Sequence, residues 1–312
     1  MCLLYDSSIW SIQEILRNLD SKERFTLASS CKTLWNCIIQ YISIEHKTDL
    51  SDNESYELIK YVGSLTLSRN NINHMDNISK LLNYSNLIQL ILYFYSNQIT
   101  DIEPIRNLAK LTNLSQLDLY LSCNQITDIE PIRSLNSTNL ITNLSQLALD
   151  LEDNQITDIG PICDIANLTN LSQLKLYLSD NHITDIGPIR DLANLTNLSQ
   201  LLLALDGNEI TDIEPIRDLN SPNLITNLSQ LELYLSSNQI IDIEPIRSLA
   251  NLTNLSQLEL YLYNNQITDI EPIRTLAKLT NLSQLVLDLD DNQITDRSPA
   301  VELRELGYKV NF

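Results

Sequence analysis

Nine times between residues 70 and 292 an asparagine returns at an interval of 27 or 30 residues: Asn70, Asn97, Asn124, Asn154, Asn181, Asn208, Asn238, Asn265 and Asn292. The intervals run 27, 27, 30, 27, 27, 30, 27 and 27, so an 84-residue period relates Asn124 to Asn208 and Asn208 to Asn292. A unit of this length makes one supersecondary turn and cannot bury its apolar face alone, so its copies must stack on one another. The phrase NQITDIEPIR at Asn97 recurs almost letter for letter at Asn124, Asn238 and Asn265.

Within the unit LSQLDLYLSCNQI (114–126), Leu117, Leu119 and Leu121 alternate with Asp118 and Tyr120. Alternation with period 2 predicts a half-buried strand. After Asn124 and Ile126 comes TDIEPIRSL, where a proline opens a short helical or 3₁₀ turn. Strand, turn and helical segment make one coil, and stacked coils predict an α/β solenoid with a parallel sheet. Nine rungs at about 4.8 Å each give a sheet on the order of 40 Å long. The recurring asparagine is a polar group at an inward position, which is costly unless its amide is satisfied. At the strand end it can bond backbone groups of its own and adjacent coils, as a structural ladder.

LTNLSQLDLYLSCNQITDIEPIRSL (111–135) resembles the leucine-rich repeat, L-x-x-L-x-L-x-x-N-x-I, in the variant seen in internalin-like proteins and phosphatase regulatory subunits. The match covers residues 61–297, about three quarters of the chain. It implies a curved coil with the parallel sheet on the concave side. The unit here departs from that variant in being longer, by a pair of residues at 120–121 and three more in the convex segment. Near-identical repeats rich in Asn, Ile and Leu, with only five glycines, are also similar to leucine-rich-repeat proteins of amoeba-infecting giant viruses.

Where the scaffold is constant, the informative positions are those that vary, and they lie on the open strand face. One outward column runs Ile91, Asp118, Ala148, Lys175, Leu202, Glu232, Glu259, Val286; the next runs Tyr93, Tyr120, Asp150, Tyr177, Ala204, Tyr234, Tyr261, Asp288. Five tyrosines in one column suit a recognition surface, with rigid rings and a hydroxyl able to find a partner. Glu152, Asp153, Asp206, Asp290 and Asp291 rim the same face. The expected partner-binding residues are Tyr93, Tyr120, Tyr177, Tyr234, Tyr261, Asp118, Lys175, Glu232 and Glu259, and the expected partner is a protein of basic character. The bland alternative is drift at exposed positions, tyrosine being a good strand former.

Charge narrows the partners further. With 20 Lys and Arg against 40 Asp and Glu, the net charge of −20 repels nucleic-acid phosphates and anionic membranes. The longest apolar run, LIQLILYFY (87–95), falls far short of the roughly 20 residues of a spanning helix. Five scattered cysteines suggest neither a disulfide framework nor a zinc site. The stretch MCLLYDSSIWSIQEIL (1–16) has no basic segment ahead of its apolar residues, and Asp6 interrupts the run a signal peptide would need; together these features fit a cytoplasm, that of a host cell if the chain is viral. Seven NLS sequons, at Asn113, Asn143, Asn170, Asn197, Asn227, Asn254 and Asn281, occupy one repeat position and read as one coincidence multiplied by duplication. DLEDN (150–154) and DLDDN (288–292) start like calcium loops, but Gln155 and Gln293 stand where glycine is needed. Three scattered histidines and no phosphate loop give catalysis no footing, so no enzyme activity, cofactor or metal is expected.

Residues 1–60 read as helical, with capping boxes SIQE (Ser11 to Glu14) and DSKE (Asp20 to Glu23), and a third candidate start at Ser51. The plain reading is a cap on the first coil. Residues 12–36 also resemble the F-box, through Ile15, Leu16, Leu19, Phe25, Leu27 and Trp35, with Ile9 and Trp10 replacing the leucine-proline opening. That resemblance implies docking onto a ubiquitin-ligase adaptor. At the other end, SPAVELRELGYKVNF (298–312) predicts a cap, with Ser298 as N-cap, Pro299 at the first helical position, Gly307 as the stop and a short final strand. Three readings remain open: a non-catalytic protein-binding scaffold, the same scaffold as an F-box-type substrate receptor of a ubiquitin ligase, and a secreted internalin-like adhesin.

Overall fold

Each period-2 leucine run forms a five-residue strand, and the strands stack in chain order. The computed structural model describes residues 43–46, 64–68, 87–136, 143–220 and 227–312. Its sheet has eleven strands: β1 (Ser43–His46), β2 (Ser64–Ser68), β3 (Gln89–Tyr93), β4 (Gln116–Tyr120), β5 (Gln146–Asp150), β6 (Gln173–Tyr177), β7 (Gln200–Ala204), β8 (Gln230–Tyr234), β9 (Gln257–Tyr261), β10 (Gln284–Asp288) and β11 (Lys309–Asn311). All pairs are parallel. The nine rungs contribute β2 to β10, and the solenoid expectation holds. One boundary changes: β1 falls inside the segment read as helical, so the sheet begins before residue 60. The F-box-like residues 12–36, the other capping boxes and Asn70 lie outside the described residues.

Opposite the sheet, the rungs of β3 to β9 each return through a 3₁₀ helix, as at Glu103–Lys110, Gly160–Asn167 and Glu271–Lys278. The aspartate two residues ahead starts it: Asp101 Oδ1 accepts the Glu103 N–H at 2.7 Å, and Asp128, Asp158, Asp185, Asp212, Asp242 and Asp269 repeat the bond. An α-helix about 10 Å across would hold rungs further apart than the strand spacing of about 4.8 Å, and tighter 3₁₀ winding reduces the mismatch. Five helices carry an internal ion pair, such as Arg106 to Glu103 at 2.6 Å. Arg133 to Asp164 and Arg190 to Asp218 link neighbouring rungs.

Between the layers lies one continuous apolar core. In one rung Leu117, Leu119 and Leu121 come from the strand side, Ile126 and Ile129 from the turn, and Ile132 and Leu135 from the 3₁₀ helix; all are buried. The residue just before each ladder asparagine from Asn97 to Asn292 turns the chain out of the sheet in the left-handed region. It is Ser96, Cys123, Asp153, Asp180, Ser237, Asn264 or Asp291, with φ of 52–56°, and Gly207 at 64°. A Cβ at Gly207 would meet Asp180 Oδ1, the tip of an exposed side chain that would have to turn aside.

The last rung is covered by helix α1 (Ser298–Glu305), whose Pro299, Ala300 and Leu303 are buried. Gly307, at φ 93°, ends it, and β11 then pairs with β10. The helix begins one residue earlier than its sequence suggests. Arg297 takes the cap position, Ser298 is the first helical residue, and the Ser298 N–H is satisfied by Asp296 Oδ1 at 2.9 Å.

Candidate docking face

Strand register sets the outward residues of β3 to β10 in three columns. The outermost is invariant glutamine, from Gln89 to Gln284. Its amides relay across strands: Ser64 Oγ donates to Gln89 Oε1 (2.7 Å), Gln89 Nε2 to Gln116 Oε1 (3.0 Å), and Gln116 Nε2 to Asp118 Oδ2 (2.8 Å). The sequence shows this column in the SQL of seven units and the IQL of 88–90, a signal that reads as scaffold until the register turns it toward solvent.

In the third column the five tyrosines do not make one row. Tyr93 and Tyr120 stack with ring centroids 4.7 Å apart and planes 13° from parallel, and Tyr234 and Tyr261 stack at 4.7 Å and 5°. Tyr177 stands alone, because its neighbours in register are Asp150 and Ala204. The Asp150 carboxylate leans away from the column, accepting from Ser122 Oγ at 2.9 Å. On β8 and β9 the middle and third columns cooperate: Tyr234 donates its hydroxyl to Glu232 Oε2 and Tyr261 to Glu259 Oε2, each at 3.0 Å. Burial first, and then these carboxylates, push both phenols up, Tyr261 to about 12.

The middle column holds the charges. Lys175 is its single cation between β3 and β10, exposed on β6. With Asp118 it flanks Ala148, and above that small residue lies a cavity of about 120 Å³ lined also by Tyr120, Tyr177, Gln146 and Gln173. Burial raises the Asp118 pKa, while the Gln116 hydrogen bond and the Lys175 charge oppose the rise. A cavity walled by one carboxylate and one ammonium favours neither sign of ligand.

Beyond the tyrosines sit Glu152, Asp153, Asp180 and Asp206. Burial raises Asp150, Glu152 and Asp206, and for Glu152 the charges of Asp150, Asp180, Asp206 and Asp153 add to it. A carboxyl whose folded pKa is raised contributes stability that is complete below its unfolded pKa, about 4, and is lost as pH rises through the folded value. Glu214 and Asp296 are held low by Arg217 and by the Ser298 N–H, which gives the opposite slope, but both are fully exposed and screened. The melting temperature is therefore expected to be higher at pH 5 than at pH 7.5. Asp206→Asn keeps the oxygen that accepts the Ser236 N–H (2.7 Å) and is expected to narrow that difference. Melting curves followed by circular dichroism at the two pH values check this, and a variant with an unchanged difference would remove Asp206 as a cause.

Along one edge of the sheet the sequon residues form ladders. Asn197 and Asn281 donate to the carbonyls of Thr169 and Thr253 one rung back, both at 2.8 Å, and Ser172 Oγ donates to the Ser145 carbonyl at 3.0 Å. Their constancy thus has a structural cause as well as a duplication history. Among the described residues no helix is long and apolar enough to cross a membrane.

The family described as Leucine Rich repeats (2 copies) matches residues 85–134, 174–218 and 258–299. Similar solved structures include internalin C2 of Listeria monocytogenes, 34% identical over 70% of this chain and 78% of that one, with a TM-score of 0.46. An internalin (inlF) of the same organism is 29% identical over 92% of this chain and 94% of that one, with a TM-score of 0.37. A leucine-rich-repeat protein of Leptospira interrogans is 24% identical over 81% of this chain and 73% of that one, with a TM-score of 0.41. No curated protein matches the chain significantly.

Proposed function

This chain belongs to the leucine-rich-repeat proteins, and from that premise we propose that its open sheet face docks another protein, without catalysis. One observation carries the reading: the inward leucines, the ladder asparagines and the isoleucines and proline that follow them are nearly constant from rung to rung, while sequence change concentrates in two columns of the open face and in the two residues that lead from it to each ladder asparagine. Those columns hold five half-buried tyrosines, Tyr93, Tyr120, Tyr177, Tyr234 and Tyr261, the residue type enriched at binding hot spots. The two stacked pairs are formed before any partner arrives, and preorganised rings lower the entropy cost of docking. The acidic rim favours a basic partner. Cytoplasm is the compartment this reading assumes, on the strength of free Cys123 and Cys163.

The test compares capture from eukaryotic cytosol by three full-length baits: wild type, Tyr120→Ala/Tyr234→Ala, and Glu103→Gln/Glu271→Gln on the helical side. Partners retained by wild type and the helical-side variant but lost by the tyrosine variant support the open face. Each hot-spot tyrosine is expected to contribute about 2 kcal/mol, or roughly thirtyfold in affinity. Partners that survive the tyrosine substitutions and vanish with the helical-side ones would move the site to the other layer.

A second reading rests on residues 12–36, whose Ile15, Leu16, Leu19, Phe25, Leu27 and Trp35 match the F-box pattern. It makes the repeats a substrate receptor for a ubiquitin ligase. Because Ser43–His46 is a strand of the sheet, the motif is best tested by Leu16→Asp in the full chain. Loss of a ubiquitin-ligase adaptor from the captured set, with other partners kept, supports it; an adaptor absent from the wild-type set ends it.

A further inference from the structure

The tyrosine column has two gaps, and they differ in chemistry. At β5 the gap holds the Asp150 carboxylate; at β7 it holds only Ala204, buried under its longer neighbours. Tyr177 and Tyr234 flank Ala204 on the strands to either side, two strand spacings or about 10 Å apart. The Tyr261 ring covers one face of Tyr234, and the other face overlooks the alanine. Leu202 continues the floor, Glu232 stands beside Tyr234 on β8, and Asp206 closes the end, oriented by the Ser236 N–H at 2.7 Å. The charge of Glu232 reaches across the slot, since it raises the pKa of Tyr177 on the far wall after burial does. The cation of the middle column, Lys175, pairs in register with Leu202 at the near end of the floor, and it also lines the cavity on the β5 side, where its charge acts on Asp118.

We propose that this slot above Ala204 takes the guanidinium or ammonium head of an Arg or Lys side chain from a basic segment of the docked protein, a claim that rests on the open-face reading. A planar cation laid on the free face of Tyr234 occupies about 3.5–4 Å, which leaves room for contact with Tyr177. It gains ring attraction from both tyrosines and charge pairing with Glu232. Arginine fits better than lysine, because its flat, weakly hydrated head stacks on rings and still presents donors at its edge.

The test uses the full chain and an acetylated, amidated eight-residue Arg-Gly peptide as probe, with Lys-Gly and Glu-Gly peptides beside it, read by tyrosine fluorescence and calorimetry. Wild type is expected to bind the arginine peptide most tightly, the lysine peptide less well, and the glutamate peptide not at all. Glu232→Gln is expected to weaken the arginine peptide about tenfold. Ala204→Tyr fills the slot with a ring that continues the stack, and is expected to weaken it at least as much with the circular dichroism spectrum unchanged. If Ala204→Tyr does not fold, Glu232→Gln decides alone. Helical-side Glu103→Gln is expected to change binding less than twofold. Equal weakening by Glu103→Gln, or undiminished binding by Ala204→Tyr, would mean long-range attraction to an acidic protein and would overturn the slot. An arginine peptide that fails on wild type, while protein capture still depends on Tyr120 and Tyr234, sinks this inference and leaves the docking reading standing. Slot-dependent peptide binding with capture indifferent to those tyrosines sinks the docking reading instead.

Discussion

Replacing Asn181 by Leu is expected to destabilise the protein by about 3 kcal/mol or more, although the two side chains are nearly the same size. The loss is entirely one of hydrogen bonds. Asn181 Nδ2 donates to the carbonyls of Leu151 (3.0 Å), Leu178 (3.1 Å) and Ser179 (3.1 Å), and its Oδ1 accepts the Ile156 N–H at 2.9 Å. All three bonds to carbonyls and the one from the N–H are buried, so leucine leaves those groups facing hydrocarbon with no water to replace the amide. Each stranded group costs about 1–3 kcal/mol. The same change at Asn292 is expected to cost clearly less. Asn292 makes the equivalent bonds to Leu262 (2.8 Å), Leu289 (3.0 Å) and Asp290 (3.3 Å), but it is only partly buried, near the end of the array. Urea unfolding of both variants checks the order. A central lesion in a stack of nearest-neighbour contacts should also split the transition, lowering the apparent m-value. Equal costs below 1 kcal/mol at both sites would mean that the ladder does not bear on stability.

The ladder asparagine was legible in the sequence because its role needs one side chain, and no other residue combines two donors with an acceptor at that length. The strands were legible for the same kind of reason, since Leu117, Leu119 and Leu121 must all point one way. The left-handed residue before the asparagine was not, because Ser96, Cys123, Asp153, Gly207 and Asn264 share a backbone conformation and no side-chain chemistry. Its cause is the turn itself, so the chain leaves only a weak bias toward Gly, Asn and Asp there. β1 escaped for a different reason. SIEH is four residues long with no alternation to speak of, and only the neighbouring strand makes it one. On the docking face the sequence gives the column of tyrosines but hides the grouping within it. Whether two rings stack depends on their being adjacent in register, as Tyr234 and Tyr261 are, and on what fills the rung between them. Ala204 looks like an ordinary small substitution in the alignment of rungs; its consequence is the space it leaves between two rings.

Deleting residues 298–312 is expected to cost about 5 kcal/mol and to increase association between chains relative to the full-length protein, a larger effect than any single substitution on the docking face. The cap covers the open end of the core. Pro299, Ala300, Leu303 and Val310 are buried against the last rung, and their removal uncovers Leu285, Leu287 and Leu289, now 2%, 0% and 1% exposed. It also frees the backbone edge of β10, including the Leu289 N–H that donates to the Asn311 carbonyl at 2.9 Å. An unpaired parallel edge beside fresh apolar surface is a template for a second chain. Polar fastenings go with it: the Arg274 to Glu302 ion pair, and Phe312 beneath the guanidinium of Arg304 at 3.8 Å. Removing only 309–312 separates the two causes, because it frees the edge of β10 and leaves α1 in place over the core. Light scattering after gel filtration should then show association driven by the edge alone, with a smaller loss of melting temperature. If the longer deletion keeps the association state and the melting temperature of the full-length protein, the end of the stack is held by its own rung, and the covering role assigned to α1 and β11 is wrong.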